Sequence, residues 1–258
     1  LSNIEYTYYI YYTLEADMKE ALYTIPVNDA FNAECECPVC MMYRDIEKDA
    51  IEFTMGPSYM EDDIRAVTDK KGFCAEHAAK LYRHQNRLGL GLILNTHLEY
   101  TIKNLNKLIK NDVKAPSLFK KKAPDGAIEF LEKINSSCYI CDRIAGTFDR
   151  YIATIFHLYH NDSDFGTLFA KSKGFCTEHY ILLYKSAEKY IGGHEYEEFI
   201  NTLNKVYLNS LKEMQKDLEW FTDKFDYRNA DAPWKNSKDA LPRTIQKTNS
   251  INVEKDIP

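Results

Sequence analysis

No stretch of the chain approaches the about 20 consecutive apolar residues that a helix needs to cross a bilayer, and no basic segment followed by an apolar one opens it as a secretory signal would. Positive charge is in deficit, with 33 Lys and Arg against 39 Asp and Glu, so there is no broad field to hold a phosphate backbone. Glycine and proline number only 10 and 8 among 258 residues, which excludes collagenous and low-complexity classes; 45% apolar and 28% charged residues are ordinary for a globular protein. A phosphate-cradling glycine loop, a Walker-type lysine, G-x-S-x-G and H-E-x-x-H are all missing. These absences point to a cytoplasmic protein with no membrane and no nucleic-acid partner, the Lys120–Lys122 run being the one local basic patch.

What the chain does have is seven cysteines in a repeated order. Cys37-Pro38-Val39-Cys40 is followed by Gly72-Phe73-Cys74-Ala75-Glu76-His77, and Cys138-Tyr139-Ile140-Cys141 by Gly174-Phe175-Cys176-Thr177-Glu178-His179. From the second cysteine of each C-x2-C to the next cysteine is 34 residues in the first half and 35 in the second. Lys71 and Lys173 precede the two glycines, Leu81-Tyr82 answers Leu183-Tyr184, and Gly91 answers Gly193. Leu105-Asn106-Lys107 answers Leu203-Asn204-Lys205 after a gap of four residues, about one helical turn. An internal duplication accounts for this order.

Between these landmarks the apolar period is helical, giving an all-α fold of two homologous three-helix repeats. In each, the first helix runs from the C-x2-C through Met41–Phe53 or Asp142–His160 and stops at Met55-Gly56-Pro57 or Asn161-Asp162-Ser163. The second is capped by Ser58 with Glu61 as a capping box, or by Ser163 or Asp164. The third opens at Phe73 or Phe175; unbroken over 73–110 it would reach about 55 Å, so a kink or close crossing is expected near Gly89 and Gly91, with Gly192-Gly193 as the counterpart. The domain reading is residues 18–111 and 128–228 as metal-binding repeats, 112–127 (two prolines, three consecutive lysines) as linker, and 229–258 as an irregular arm docked by Trp234, Leu241 and Ile245. Residues 1–17 are Tyr-rich without a helical stripe; Met18 opens a more protein-like stretch, and codons for Leu14-Glu15-Ala16 can contain GGAGG, so this segment is expected to be a translated leader.

Two thiols separated by two residues at a helix start can face one ion, the N-terminal dipole favouring thiolate, and Cys-x2-His at another helix start does the same. Each repeat therefore offers a Cys3His tetrahedron suited to zinc: Cys37, Cys40, Cys74 and His77 in the first, Cys138, Cys141, Cys176 and His179 in the second. Four protein ligands leave no open position, which marks such sites as structural and argues against a hydrolase. An iron–sulfur cluster is the alternative cofactor. Cys35 is the odd thiol, either a substitute for Cys37 or a free thiol beside the site. Glu76 and Glu178 are read as helix caps or as groups orienting a ligand, and His157 with His160 as surface residues outside any site.

The segments Tyr23–Phe31, Cys35–Cys40, Phe53–Arg65 and the paired Gly-Phe-Cys-x-Glu-His resemble an uncharacterised bacterial family of anaerobic Gram-positive type that carries a domain-of-unknown-function label. The resemblance covers about residues 18–250 and implies a bacterial cytoplasmic setting but no activity. The functional expectation is a non-enzymatic scaffold or adaptor stabilised by two zinc ions, with the 19 tyrosines and 13 phenylalanines supplying aromatic helix faces for a protein partner. The alternative is an iron–sulfur or thiol-based redox or metal-handling protein.

Overall fold

The computed structural model describes residues 23–109 and 125–253, in which helices are the only regular elements. The leader expected at 1–17, Lys120–Lys122 and most of the linker lie outside the described residues. Helical residues 23–32 (α1) precede α2 (Pro38–Met55), α3 (Asp62–Lys71), α4 (Ala75–Arg83) and α5 (Arg87–Leu108); then follow α6 (Gly126–Asn135), α7 (Tyr139–Asn161), α8 (Ser163–Lys171), α9 (Thr177–Tyr190), α10 (Gly193–Asp223) and α11 (Ala240–Asn249). Among the described residues each repeat thus contains five helices rather than three. One extra helix precedes each C-x2-C, and the long third helix is divided in two.

The boundaries follow local chemistry. Pro38 opens α2, where its missing N–H costs nothing, and Gly56-Pro57 closes it before a short 3-10 turn at Pro57–Met60. The capping box does not form: Glu61 is the N-cap of α3 without a side-chain bond, and the Ser58 hydroxyl donates to the Phe53 carbonyl. α3 carries Asp62 and Asp63 in its first turn and Lys70 and Lys71 in its last, each end matching the helix dipole. In the second repeat the cap is Asp162, accepting from the backbone of Asp164 and Phe165 at 2.9 and 3.2 Å, and not Ser163 or Asp164. The third helix breaks before its glycines. Gln85 takes φ 70° and the Asn86 side chain accepts from Gly89 N at 2.9 Å, ending α4 and starting α5. Gly89 is a close approach, since a Cβ there would sit 3.0 Å from the Tyr59 ring, whereas Gly91 faces open space.

The chain forms two units, one from Leu1–Arg44 and Phe148–Pro258, the other from Asp45–Thr147, so the division falls inside α2 and inside α7. The units therefore cut across the sequence repeats at 18–111 and 128–228. The discontinuous unit has an aromatic core: the fully buried Phe169 ring lies 5.1 to 5.7 Å from the rings of Phe31, Tyr159, Phe175 and Phe199. Cys37, Cys40 and Cys176 belong to that same buried cluster. In the Asp45–Thr147 unit α3 packs on α5, where the Arg65 guanidinium donates to the Leu92 carbonyl at 3.1 Å and to Thr96 Oγ1 at 3.0 Å.

The arm expected to be irregular contains α11, packed against α10 and α9. Pro242 sits in the first turn, where a helix has no use for its N–H. Ala240, Gln246 and Lys247 are the buried docking residues of α11 and Leu241 points outward; Trp234 packs at a tilt against Phe221 of α10, and Trp220 Nε1 donates to the Pro233 carbonyl at 2.9 Å.

Candidate metal centres

All four Cys-containing pairs occupy the same helical address. Cys74 and Cys176 are the N-cap residues of α4 and α9, and Cys37 and Cys138 immediately precede α2 and α7; the second member of each pair, His77, His179, Cys40 or Cys141, is the third residue of its helix. At that address two side chains project past the same helix end, beside unpaired backbone N–H groups that favour negative charge. Cys40 N and Cys141 N approach the sulfurs of Cys37 and Cys138 at 3.4 and 3.5 Å. The glycine before each Phe-Cys has a left-handed backbone, Gly72 at φ 62° and Gly174 at φ 90°, and each is overlain so closely, by His97 or by Ser210, that a Cβ would lie 2.8 Å from its neighbour. Nothing but glycine fits these turns.

The pairs combine across the repeats. In the discontinuous unit Cys37, Cys40, Cys176 and His179 converge, and in the Asp45–Thr147 unit Cys74, His77, Cys138 and Cys141 do, with all donor atoms of each set within 4.8 Å of one another. This corrects the grouping read from sequence: Cys37 and Cys40 do not meet Cys74 and His77, nor do Cys138 and Cys141 meet Cys176 and His179. The exchange reflects the helix paths, since the C-x2-C of α2 begins in one unit and the body of α2 continues into the other.

In the first set the Cys37 and Cys40 sulfurs lie 3.9 and 3.5 Å from that of Cys176, and His179 Nδ1 lies 3.5, 3.2 and 3.1 Å from Cys37, Cys40 and Cys176. In the second, Cys74 and Cys141 sulfurs are 3.9 Å apart and His77 Nδ1 is 3.2, 3.4 and 3.3 Å from Cys74, Cys138 and Cys141. A tetrahedral zinc with its usual bond lengths has S–S edges of about 3.8 Å and S–N edges of about 3.6 Å, so both sets match the size of a single-ion site.

The clustered groups shift one another's pKa values. Burial works to lower the His77 pKa, but the Cys138 sulfur and the Glu47 carboxylate outweigh it and hold the imidazole up at about 10; His179 is held at about 10 against burial by Cys176 and Cys37. Cys141 is pushed up to about 12 by burial and by Cys138, whereas Cys176 is drawn far down by its bonds to Cys37 and Cys40.

Around these donors the two sets differ. His77 Nε2 lies 3.0 Å from Glu47 Oε1, which also accepts from Lys80 Nζ at 2.6 Å. With Nδ1 facing the sulfurs, the Nε2–H is left to donate to Glu47, an arrangement that fixes ring and tautomer. No motif in the sequence marks Glu47, which stands seven residues after Cys40; the residue seven after Cys141 is Phe148, whose ring lies 5.9 Å from that of His179. Glu76 does not cap α4 but pairs with Lys80 at 2.7 Å. In the discontinuous unit, Ser250 Oγ lies 3.1 Å from Cys176 Sγ, and the fully buried Lys247 donates to the carbonyls of Glu36 and Lys173, each one residue from the turn that carries a ligand cysteine.

Cys35 belongs to neither set; its thiol points to the Ala30 carbonyl at 3.7 Å. His160 pairs with Glu195 at 2.8 Å and His157 Nδ1 meets Asn161 at 3.2 Å, both outside the donor sets.

Residues 18–255 match the family of unknown function DUF6062. The chain belongs to this family. No curated protein and no solved structure matches it. Among its described residues this member of DUF6062 is all-helical, with two Cys3His sets that can hold a metal ion and no helix long and apolar enough to cross a membrane.

Proposed function

We propose that this chain is a non-enzymatic helical scaffold or adaptor of the bacterial cytoplasm, stabilised by two structural zinc ions and serving to bind a protein partner. One observation carries the reading: each unit closes four soft donors from two helix starts into a tetrahedron of zinc dimensions, with no position left for water or substrate. Donors gathered so tightly support a single ion over a multi-iron cluster, which spreads its thiolates around several metal atoms. Each such ion contributes about 10–16 kcal/mol of apparent binding free energy, as much as the about 5–15 kcal/mol that holds a whole domain folded. Zinc in both sites therefore decides whether the helices stay assembled.

Protein binding is supported by the outer face of α5, where Leu94, Leu98 and Ile102 repeat every fourth residue and are all exposed. The competing redox reading draws on one observation, the exposure of Cys141 in the second set.

Elemental analysis of the anaerobically purified chain tests the proposal. Two zinc and negligible iron per chain, with loss of helical signal on chelation, is the expected result. Several irons per chain, or full helicity and an unchanged thermal midpoint after the metal is stripped, would overturn it.

A further inference from the structure

The two donor sets are alike in chemistry and unlike in access. All four residues of the first are buried, and Ser250, the residue that caps the end of α11, sets its Oγ against Cys176 Sγ. In the second, His77 and Cys138 are buried but Cys74 is only half-buried and Cys141 is exposed. The accessible pair is also an adjacent pair, with Cys74 and Cys141 sulfurs 3.9 Å apart. The same separation occurs between Cys37 and Cys176, so spacing does not distinguish the sets; access does.

We propose that the second set is a peroxide-sensitive modification site, in which Cys74 and Cys141 are oxidised to a disulfide and the ion is released, while burial, with the Ser250 hydroxyl at Cys176, keeps the first set inert. This rests on the zinc reading above. The Cys141 thiolate attacks one oxygen of hydrogen peroxide, breaking the O–O bond and expelling hydroxide to leave a sulfenic acid. The Cys74 thiolate then attacks that sulfur, forming the S–S bond and expelling a second hydroxide. Two thiolates have surrendered two electrons to the peroxide, two protons convert the hydroxides to water, and the zinc, unchanged in oxidation state, leaves a site reduced to two donors. At the first set the peroxide must wait for local opening of the fold around it, which slows the same reaction.

The test uses the full zinc-loaded chain carrying Cys35→Ser, so that the one half-buried thiol outside both sets cannot confuse the mapping. Hydrogen peroxide is added with a zinc-sensitive dye present, and the products are mapped by peptide mass. Expected are one zinc per chain in a fast phase, with peptides of Cys74 and Cys141 linked, and a second zinc released about tenfold or more slowly. Ser250→Ala should quicken the slow phase alone; no change would overturn a shielding role for the Ser250 hydroxyl at Cys176. Release of both ions in one phase, no release, or first oxidation at Cys37, Cys40 or Cys176 would overturn the proposal while leaving two structural zincs in place. A chain purified without zinc would instead bring down the zinc reading, and this proposal with it.

Discussion

Glu47 is the residue that separates the two centres at the smallest scale. Its carboxylate accepts from His77 and Lys80 at the edge of one centre, while the corresponding helical position at the other holds an aromatic ring. Groups that orient a ligand histidine in this way typically contribute about 10–100-fold in metal affinity. Glu47→Ala should therefore weaken one of the two zincs by about that factor against a competing chelator, with the other unmoved, and Glu47→Gln should recover part of the loss through its remaining acceptor. Equal weakening of both ions would show a general loss of fold instead. The glycines make a second contrast. Gly174→Ala places a Cβ 2.8 Å from the Ser210 hydroxyl at φ 90° and should cost about 1–3 kcal/mol by urea midpoint. Gly91→Ala, inside α5 with open space around it, should raise stability by about 0.5–1 kcal/mol.

At the scale of elements, α5 carries a row of exposed apolar side chains, Leu94, Leu98 and Ile102, among the described residues. Leu98→Glu with Ile102→Glu removes no buried contact, so zinc content should be unchanged and the thermal midpoint should move little, each exposed change being worth within about 0.5 kcal/mol. Cross-linking in cells from a photoreactive group at Leu94 should in contrast lose its protein adducts; adducts that persist unchanged would remove this face from the binding role. Most elements were legible in the sequence because their ends carry strong signals, such as Gly56-Pro57 after α2 and the glycines before Phe73 and Phe175. The misses also have identifiable causes. An Asn cap at Asn86 outweighs the pull of the glycines three and five residues later, so the chain breaks instead of bending. α11 hides behind a polar sequence with a proline, and what docks it is a buried lysine amine aimed at backbone carbonyls rather than an apolar stripe. The shared Leu-Asn-Lys triplets are not equivalent in space: His97 covers Gly72 from ten residues into α5, whereas Ser210 covers Gly174 from 17 residues into α10.

Over the whole molecule, the eight Cys and His residues that converge were legible as a group and their partition was not. The duplication gives both repeats the same two pairs at the same helical address, so within-repeat and cross-repeat tetrahedra are chemically identical and only the path of the chain decides. Closure entropy discriminates weakly. Cys40 meets Cys176, 136 residues away, where Cys74 is only 34 away; these two doublings of loop length cost about 1.2 kcal/mol, little beside the burial of a single phenylalanine ring, which is worth about 1.5–3 kcal/mol. The partition makes a prediction that the within-repeat grouping does not share. Fragments 18–111 and 128–228, expressed separately, each carry one C-x2-C and one C-x2-H whose partners lie on the other fragment, so neither should hold zinc with the affinity of the full chain or reach its helicity. Mixed in equal amounts with zinc, the two should form a one-to-one complex containing two ions, because each tetrahedron takes one pair from each fragment. Sedimentation with zinc analysis reads both quantities together. Separate fragments that each bind one zinc tightly and fold, and that fail to associate on mixing, would show that the donors pair within their own repeat and that the exchange between α2 and α7 does not hold.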